Sequence, residues 1–219
     1  MFFLIILASI STVSRTALAA SIPPSFLLSS NNSTDITLSQ LDAIIDGTSC
    51  PLEGSQFLDE CRTAAQALPF VNKGFADYNI TTLGEKAALL SLMSFESGGF
   101  QFNINHSPGN PGQGTRNLME FPSHNKTASY ISLSSLPSKL SNKTKNAIRA
   151  VVLGDGLSFG SAMWFYTQRC LQMPGMVEGL QAQTETGWEN YITKCVGTTV
   201  TDERKQSWLR AVKILNGNA

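Results

Sequence analysis

The stretch KAALLSLMSFE at positions 86–96 limits the possible folds of this chain more than any other feature. Its middle consists of Ala, Leu, Met and Phe, and only Ser91 and Ser94 interrupt it. A helix that is apolar on every side must be buried among other elements. The preceding residues, TLGE at positions 82–85, have the spacing of a capping box. We therefore predict a central buried helix that begins near position 83.

Further helical patterns flank this segment, and caps or glycines bound most of them. The helical pattern at 55–70 carries Pro69, where we expect that helix to stop. The loop at 100–121 has no helical period and is rich in glycine and proline, which predicts an irregular loop or small hairpin. The fold class is therefore mainly α, in a single domain. The flanking patterns lie at 37–47, 55–70, 141–154, 158–172, 184–197 and 201–217.

The first residues are typical of an exported protein. A short apolar run and an Ala-Leu-Ala site at 17–19 predict a signal peptide at 1–19, with a retained anchor as the alternative. A Ser-, Pro- and Asn-rich leader at 20–36 and one domain at 37–219 complete the predicted organisation.

Four cysteines in an exported chain favour two disulfides. Their two distant groups make local pairing, Cys50–Cys61 and Cys170–Cys195, the simplest of three possible arrangements. We expect no metal site and no cofactor, because Cys-x-x-Cys is absent and His106 and His124 are the only histidines. Asn-x-Ser/Thr sequons, which predict surface positions if they are glycosylated, occur at Asn31, Asn32, Asn79, Asn105, Asn125 and Asn142.

The formal net charge is zero, with 16 basic and 16 acidic residues. Nucleic acids and anionic membranes bind basic surfaces, so we expect neither as a partner. The expected partner is a polysaccharide or oligosaccharide, bound by a monomer.

Glu96 ends the central helix and shares a face with Leu89, Leu92 and Met93, three to seven residues earlier. Apolar surroundings and the negative end of the helix dipole both favour the uncharged carboxyl group. A protonated acid at the edge of a cleft is what cleavage of a glycosidic bond requires. The sequence therefore indicates Glu96 as a catalytic acid.

The glycines after Glu96 let the backbone approach a ligand closely. Amide side chains in the same loop, at Gln101, Asn103 and Gln113, are candidates for hydrogen bonds to sugar. Asn105 also lies there. The aromatic residues Phe100, Phe102, Trp164 and Tyr166 either stack on sugar rings or, for most of them, pack in the core.

FESGGF at 95–100, followed by GQGTRNLMEF at 112–121, resembles the goose-type lysozyme and lytic transglycosylase superfamily. Secreted proteins of filamentous fungi are also similar over a longer span. The resemblance implies a lysozyme-like helical domain in which Glu96 is the acid, Ser97 its support, and the segment from Gly114 through Asn117 and Met119 lines the cleft.

This chain departs from the family's Gly-Leu-Met-Gln segment, because Glu120 stands where the family has glutamine. Glu120 is thereby a second catalytic candidate, as a base for water, or a mere substrate contact. Asp155, between two glycines, is a third acid, although such residues more often form turns.

The resulting hypothesis is a secreted lysozyme-like glycoside hydrolase or transglycosylase that cleaves a β-linked, N-acetylated glycan such as peptidoglycan or chitin. Either two carboxylates act, or the sugar's acetamido group assists a single acid. A non-catalytic effector or glycan-binding protein on the same fold is the alternative, and an unrelated helical domain with a chance match is the third.

Overall fold

The computed structural model describes residues 35–47, 50–119 and 140–217, all within the compact unit Asn32–Ala219. The predicted signal peptide, nearly all of the leader, and Glu120 and His124 lie outside these residues. The described part is mainly α-helical, as predicted, and contains no strand beyond isolated bridges. Its helices are α1 Leu38–Ile44, α2 Ala64–Asp77, α3 Leu83–Glu96, α4 Asn142–Val151, α5 Asp155–Phe165, α6 Met176–Gln181, α7 Glu185–Asn190 and α8 Asp202–Leu215.

The central helix α3 is buried on every side, as its composition predicts. Every residue from Gly84 to Ser94 is buried, and α1, α5, α6 and α8 surround the helix. Its most extensive neighbour is α8, whose Trp208 stacks on Trp188 of α7 with ring centroids 5.1 Å apart. Burial of this helix stabilises the fold, because apolar side chains stabilise in proportion to the area that they remove from water.

Two charged side chains are buried near the start of α3. Glu85 is 6% exposed, and its carboxylate accepts hydrogen bonds from the side chains of Thr82, Tyr166 and Gln181. Lys86 lies 5.2 Å from the centre of the Phe75 ring, and burial lowers the pKa of its amino group. The carboxylate is thus hydrogen-bonded, as buried charges need to be.

Helix boundaries follow local caps. Thr37 and Thr63 each form a complete capping box with the glutamine three residues later. Thr82, Ser141 and Thr201 also cap the helices that follow them. The predicted starts of α1, α3, α4 and α8 are therefore confirmed.

The prediction of one helix over 55–70 is wrong. A 3₁₀ turn at Leu58–Glu60 precedes a break, and α2 begins only after Thr63. The helix then continues through Pro69 to Asp77. Proline removes the hydrogen bond to the carbonyl of Ala65, but Ala65 is exposed, so water can bind that carbonyl.

Two disulfides join Cys50 to Cys61 and Cys170 to Cys195, with Cα–Cα distances of 5.6 and 5.4 Å. The predicted local pairing is confirmed. The second bridge links two short π-helical segments, Tyr166–Cys170 after α5 and Tyr191–Val196 after α7. Disulfides are typical of oxidising compartments and so fit an exported protein.

No helix in the described ranges is long and apolar enough to cross a membrane. Up to Met119, where the described part of this loop ends, the chain after α3 contains the isolated bridges Ile104–Gly114 and Gly114–Met119 and no strand, as expected for an irregular hairpin.

Close packing of α3 on α6 makes Gly84 a test of this architecture. A Cβ atom at Gly84 would lie 2.0 Å from the carbonyl oxygen of Leu180. We expect Gly84→Ala to destabilise the protein by about 2 kcal/mol or more, since the obstructing atom is backbone. Thermal unfolding followed by circular dichroism measures the change.

Gly156→Ala, in the first turn of α5, is the matched control because nothing lies within 4 Å of a Cβ atom there. It should leave stability equal or raise it by up to about 1 kcal/mol. Equal melting temperatures for Gly84→Ala and the wild type would contradict the described contact between α3 and α6.

Candidate functional site

The C-terminal end of α3 places Glu96 at the edge of the buried core. Gly98 and Gly99 both have positive φ values, and the Gly99 N–H donates to the carbonyl of Ser94 at 2.7 Å. These glycines end the helix, as predicted. The Ser97 hydroxyl donates to the carbonyl of Met93 at 2.6 Å and accepts from the Phe100 N–H at 3.0 Å.

Glu96 opens onto a groove of about 250 Å³ between the end of α3, the glycine-rich loop and the start of α8. Polar and apolar side chains share its wall. The lining residues are Leu92, Glu96, Gln113, Asn117, Leu118, Met119, Phe165, Val196, Gly197, Thr198 and Arg204.

Arg204 is the principal partner of Glu96. Its Nη2 atom donates to Glu96 Oε1 at 3.0 Å, and the two side chains are 15% and 21% exposed. The guanidinium lies 4.5 Å from the centre of the Phe95 ring, and its Nη1 atom donates to the Thr199 carbonyl. Glu96 thus has a cationic neighbour in addition to the apolar surroundings that the sequence predicted.

Tyr191 is buried in the core and interacts electrostatically with Glu96. Burial, and secondarily the negative charge of Glu96, raise the pKa of the Tyr191 hydroxyl. The hydroxyl therefore stays protonated at neutral pH.

The loop presents two of the predicted amide side chains to the groove. Gln113 donates from Nε2 to the Leu118 carbonyl at 3.0 Å. Asn117 accepts at Oδ1 from the hydroxyls of Thr115 and Ser161, at 2.7 and 2.8 Å. These bonds fix the position of each amide before any ligand arrives.

Arg116 holds the loop against the core. Its side chain is fully buried, and Nη1 donates to the carbonyls of Phe100 and Phe102 at 2.7 and 3.1 Å. Nη2 donates to the carbonyl of Glu60, and the guanidinium lies 4.9 Å from the Phe159 ring centre. Burial lowers the pKa of Arg116 to about 10, so it remains charged at neutral pH.

The structure brings four of the predicted site residues to the wall of one groove: Glu96, Gln113, Asn117 and Met119. It does not bring the other described candidates to the groove wall: Ser97, Gln101, Asn103, Gly114 and Tyr166. Glu120, the second proposed acid, lies outside the described residues.

The candidates that do not line the groove have contacts elsewhere in the fold. The Tyr166 hydroxyl donates to the buried Glu85 carboxylate at 2.8 Å, so this side chain lies in the core and away from the groove wall. Ser97 and Asn103 are buried, and Asn103 donates to the Leu153 carbonyl at 3.3 Å. Gly114 packs where a Cβ atom would meet Arg149 and the Asn103 carbonyl, and Gln101 is half-buried in the turn after α3.

The structure also places Asp155 and three of the aromatic candidates. Asp155 is the first residue of α5 and accepts from Arg62 at 2.8 Å, so it pairs in the first helical turn. Phe100 and Tyr166 are buried in the core, whereas Phe102 is 37% exposed.

Sequence reasoning missed Arg204, which is separated from Glu96 by 108 residues. The available signal was its position in the first turn of α8, where the helix dipole favours acidic residues. An arginine there is unfavourable unless it has an acidic partner.

Two hollows flank α1, with volumes of about 520 and 560 Å³, and both are more open to solvent than the groove. One lies near Asp46 and Arg210, which form an ion pair at 2.9 Å, and the other near Leu38 and Thr63. No group of three or more metal-binding side chains occurs in the described part of the chain.

Comparison with known proteins gives one partial match. A protein of Fusarium oxysporum (strain Fo5176), described as a bifunctional dioxygenase (DOX)-epoxy alcohol synthase (EAS), is 35% identical over 145 residues. The match covers 61% of this chain but 11% of the relative, so most of that protein lies outside it. No family model matches the chain. No solved structure matches it.

The resemblance to goose-type lysozymes and lytic transglycosylases is therefore wrong. The partial relative carries a different description, and no lysozyme family model matches. The resemblance depended on some thirty residues around Glu96. A glutamate followed by helix-ending glycines is a general way to terminate a helix, so this pattern does not define a family.

Asn105 provides a test of the loop. Its Nδ2 atom donates to Gln113, and its Oδ1 atom accepts from the Gly109 N–H at 3.4 Å. A glycan on Nδ2 would disturb the Gln113 contact beside the groove. We expect low glycan occupancy at Asn105 compared with Asn142, which is exposed at the start of α4.

Glycopeptide mass spectrometry of the protein from a glycosylating host measures both occupancies. Full occupancy at Asn105 would contradict the described arrangement of Asn105 and Gln113.

Proposed function

We propose that this chain is a secreted protein that binds a polysaccharide or oligosaccharide in the groove and cleaves a glycosidic bond, with Glu96 as the proton-transferring group. The observation that carries the proposal is the position of Glu96 on the groove wall, beside the fixed amides of Gln113 and Asn117. Its location outside the cell follows from the predicted signal peptide and accords with the two disulfides.

The chemistry of the lining suits a sugar. Amide and hydroxyl groups of Gln113, Asn117 and Thr198 can exchange hydrogen bonds with sugar hydroxyls, and Met119 and Leu118 offer apolar contact to ring carbons. A groove of about 250 Å³ has room for a sugar ring with its substituents.

In the proposed reaction, Glu96 donates a proton to the glycosidic oxygen as its bond to the anomeric carbon breaks. Water adds its hydroxyl to that carbon, and its remaining proton restores Glu96. In the free protein Arg204 donates a hydrogen bond to Glu96 at 3.0 Å. A sugar bound in the groove would cover the pair and exclude water from it.

A non-catalytic glycan-binding protein is the second candidate. Glu96 is the sole acid among the described groove residues, and glycosidases ordinarily use two carboxylates. The ion pair with Arg204 also suits a carboxylate that only positions neighbouring groups.

Replacement of Glu96 by glutamine separates these candidates. Glu96→Gln keeps the side-chain size and removes the transferable proton. We expect it to lower the cleavage rate by about 10²-fold or more while binding changes little. Reducing-end release from oligomers of N-acetylglucosamine and of glucose measures cleavage, and calorimetry of Glu96→Gln measures binding.

Glu178→Gln, at an exposed position of α6, is the matched control and should retain full activity. The melting temperature of Glu96→Gln should fall slightly, because Arg204 loses its charged partner. Equal cleavage by Glu96→Gln and the wild type would refute the catalytic role. Binding without cleavage by the wild type would favour the second candidate.

A further inference from the structure

The charged side chains that line the groove balance each other. Among its described lining residues, Glu96 and Arg204 are the two that carry a charge, and they are paired with each other at 3.0 Å. The remaining lining groups are amides, a hydroxyl, a glycine and apolar side chains. The net charge that this wall presents to a ligand is therefore zero.

The pair is held in place on the Arg204 side. The guanidinium lies against the Phe95 ring at 4.5 Å and donates to the Thr199 carbonyl at 3.3 Å. Both members are mostly shielded from solvent, with side-chain exposures of 15% and 21%. Screening by water and salt is weaker for such a pair than for a surface pair.

A charged ligand therefore meets an opposing charge whichever way it binds. A ligand carboxylate that approaches Arg204 also approaches Glu96. If the ligand displaces Glu96 from Arg204, Glu96 is left without its partner. An ammonium group that approaches Glu96 meets the same difficulty with Arg204. Like charges brought together without compensation disfavour a ligand strongly.

We infer that the groove selects uncharged glycans and that the Glu96–Arg204 pair is the specificity device that excludes both acidic and basic sugars. This inference rests on the proposed glycan function and adds the substrate class. Uncharged hydroxyl and acetamido groups match the amides of Gln113 and Asn117.

Isothermal titration calorimetry with two matched pairs of ligands tests the inference. The titrations are run at low temperature, and product analysis confirms that the oligomers stay intact. The first pair is β-1,4-linked glucose and β-1,4-linked glucuronate oligomers of equal length, which differ only at C6. The second is N-acetylglucosamine and glucosamine oligomers, which differ by an acetamide and an ammonium group. In each pair whose uncharged member the wild type binds, that member should bind about tenfold or more tightly than its charged counterpart, and equal binding of the two would overturn the exclusion of that kind of sugar.

Variants at the pair should shift this preference in opposite directions. Glu96→Gln leaves the positive charge of Arg204 uncompensated, so its relative affinity for glucuronate oligomers should rise about tenfold. Arg204→Gln leaves Glu96 uncompensated, so its relative affinity for glucosamine oligomers should rise similarly. Circular dichroism establishes that each variant is folded.

Arg210→Gln is the control because Arg210 also lies in α8 and pairs with an acid, Asp46, but it does not line the groove. It should leave all ligand preferences unchanged. If a variant fails to fold, the wild-type comparison still decides.

Tighter binding of a charged oligomer than of its uncharged counterpart by the wild type overturns the selectivity but leaves glycan binding intact. Unchanged preferences in folded Glu96→Gln and Arg204→Gln also overturn the role of the pair. Failure of the wild type to bind any of the four oligomers overturns the proposed glycan function itself.

Discussion

Burial of α3 on all sides is the constraint on which the rest of the structure depends. The other helices must enclose this helix, and α8 covers most of one side of it. The helix leaves the core only at its last turn, where Glu96 is partly exposed and Ser97 with the glycines redirects the chain. The position of the groove follows directly from where the buried helix ends.

The same geometry explains why Arg204 meets Glu96. Because α8 packs along α3, the first turn of α8 lies beside the last turn of α3. An arginine at this helix start is unfavourable to the dipole of α8, but it lies next to a carboxylate at the negative end of α3. The ion pair thus offsets two unfavourable interactions, that of Arg204 with the dipole of α8 and that of Glu96 with the dipole of α3. It also makes the described groove wall electrically neutral.

Features encoded by short stretches could be predicted from the sequence. The threonine and serine caps fixed most helix starts, the composition of α3 implied its burial, and the cysteine grouping implied the local disulfides. Features that depend on contacts between residues far apart in the sequence could not be predicted. The Glu85–Tyr166 hydrogen bond joins residues 81 apart, and it places Tyr166 in the core. The break before α2 depends on Thr63 and on Arg62, whose N–H donates to the carbonyl of Phe100. The short similarity around Glu96 misled the family assignment, because it described a way of ending a helix.

The most direct test of the account is a crystal structure of Glu96→Gln soaked with an N-acetylglucosamine oligomer. We predict a sugar ring in the groove, hydrogen-bonded to Gln113 or Asn117 and with a glycosidic oxygen within hydrogen-bonding distance of the residue at position 96. A sugar bound instead at one of the hollows beside α1, with the groove occupied only by solvent, would contradict the central claim that the groove at the end of α3 is the glycan site.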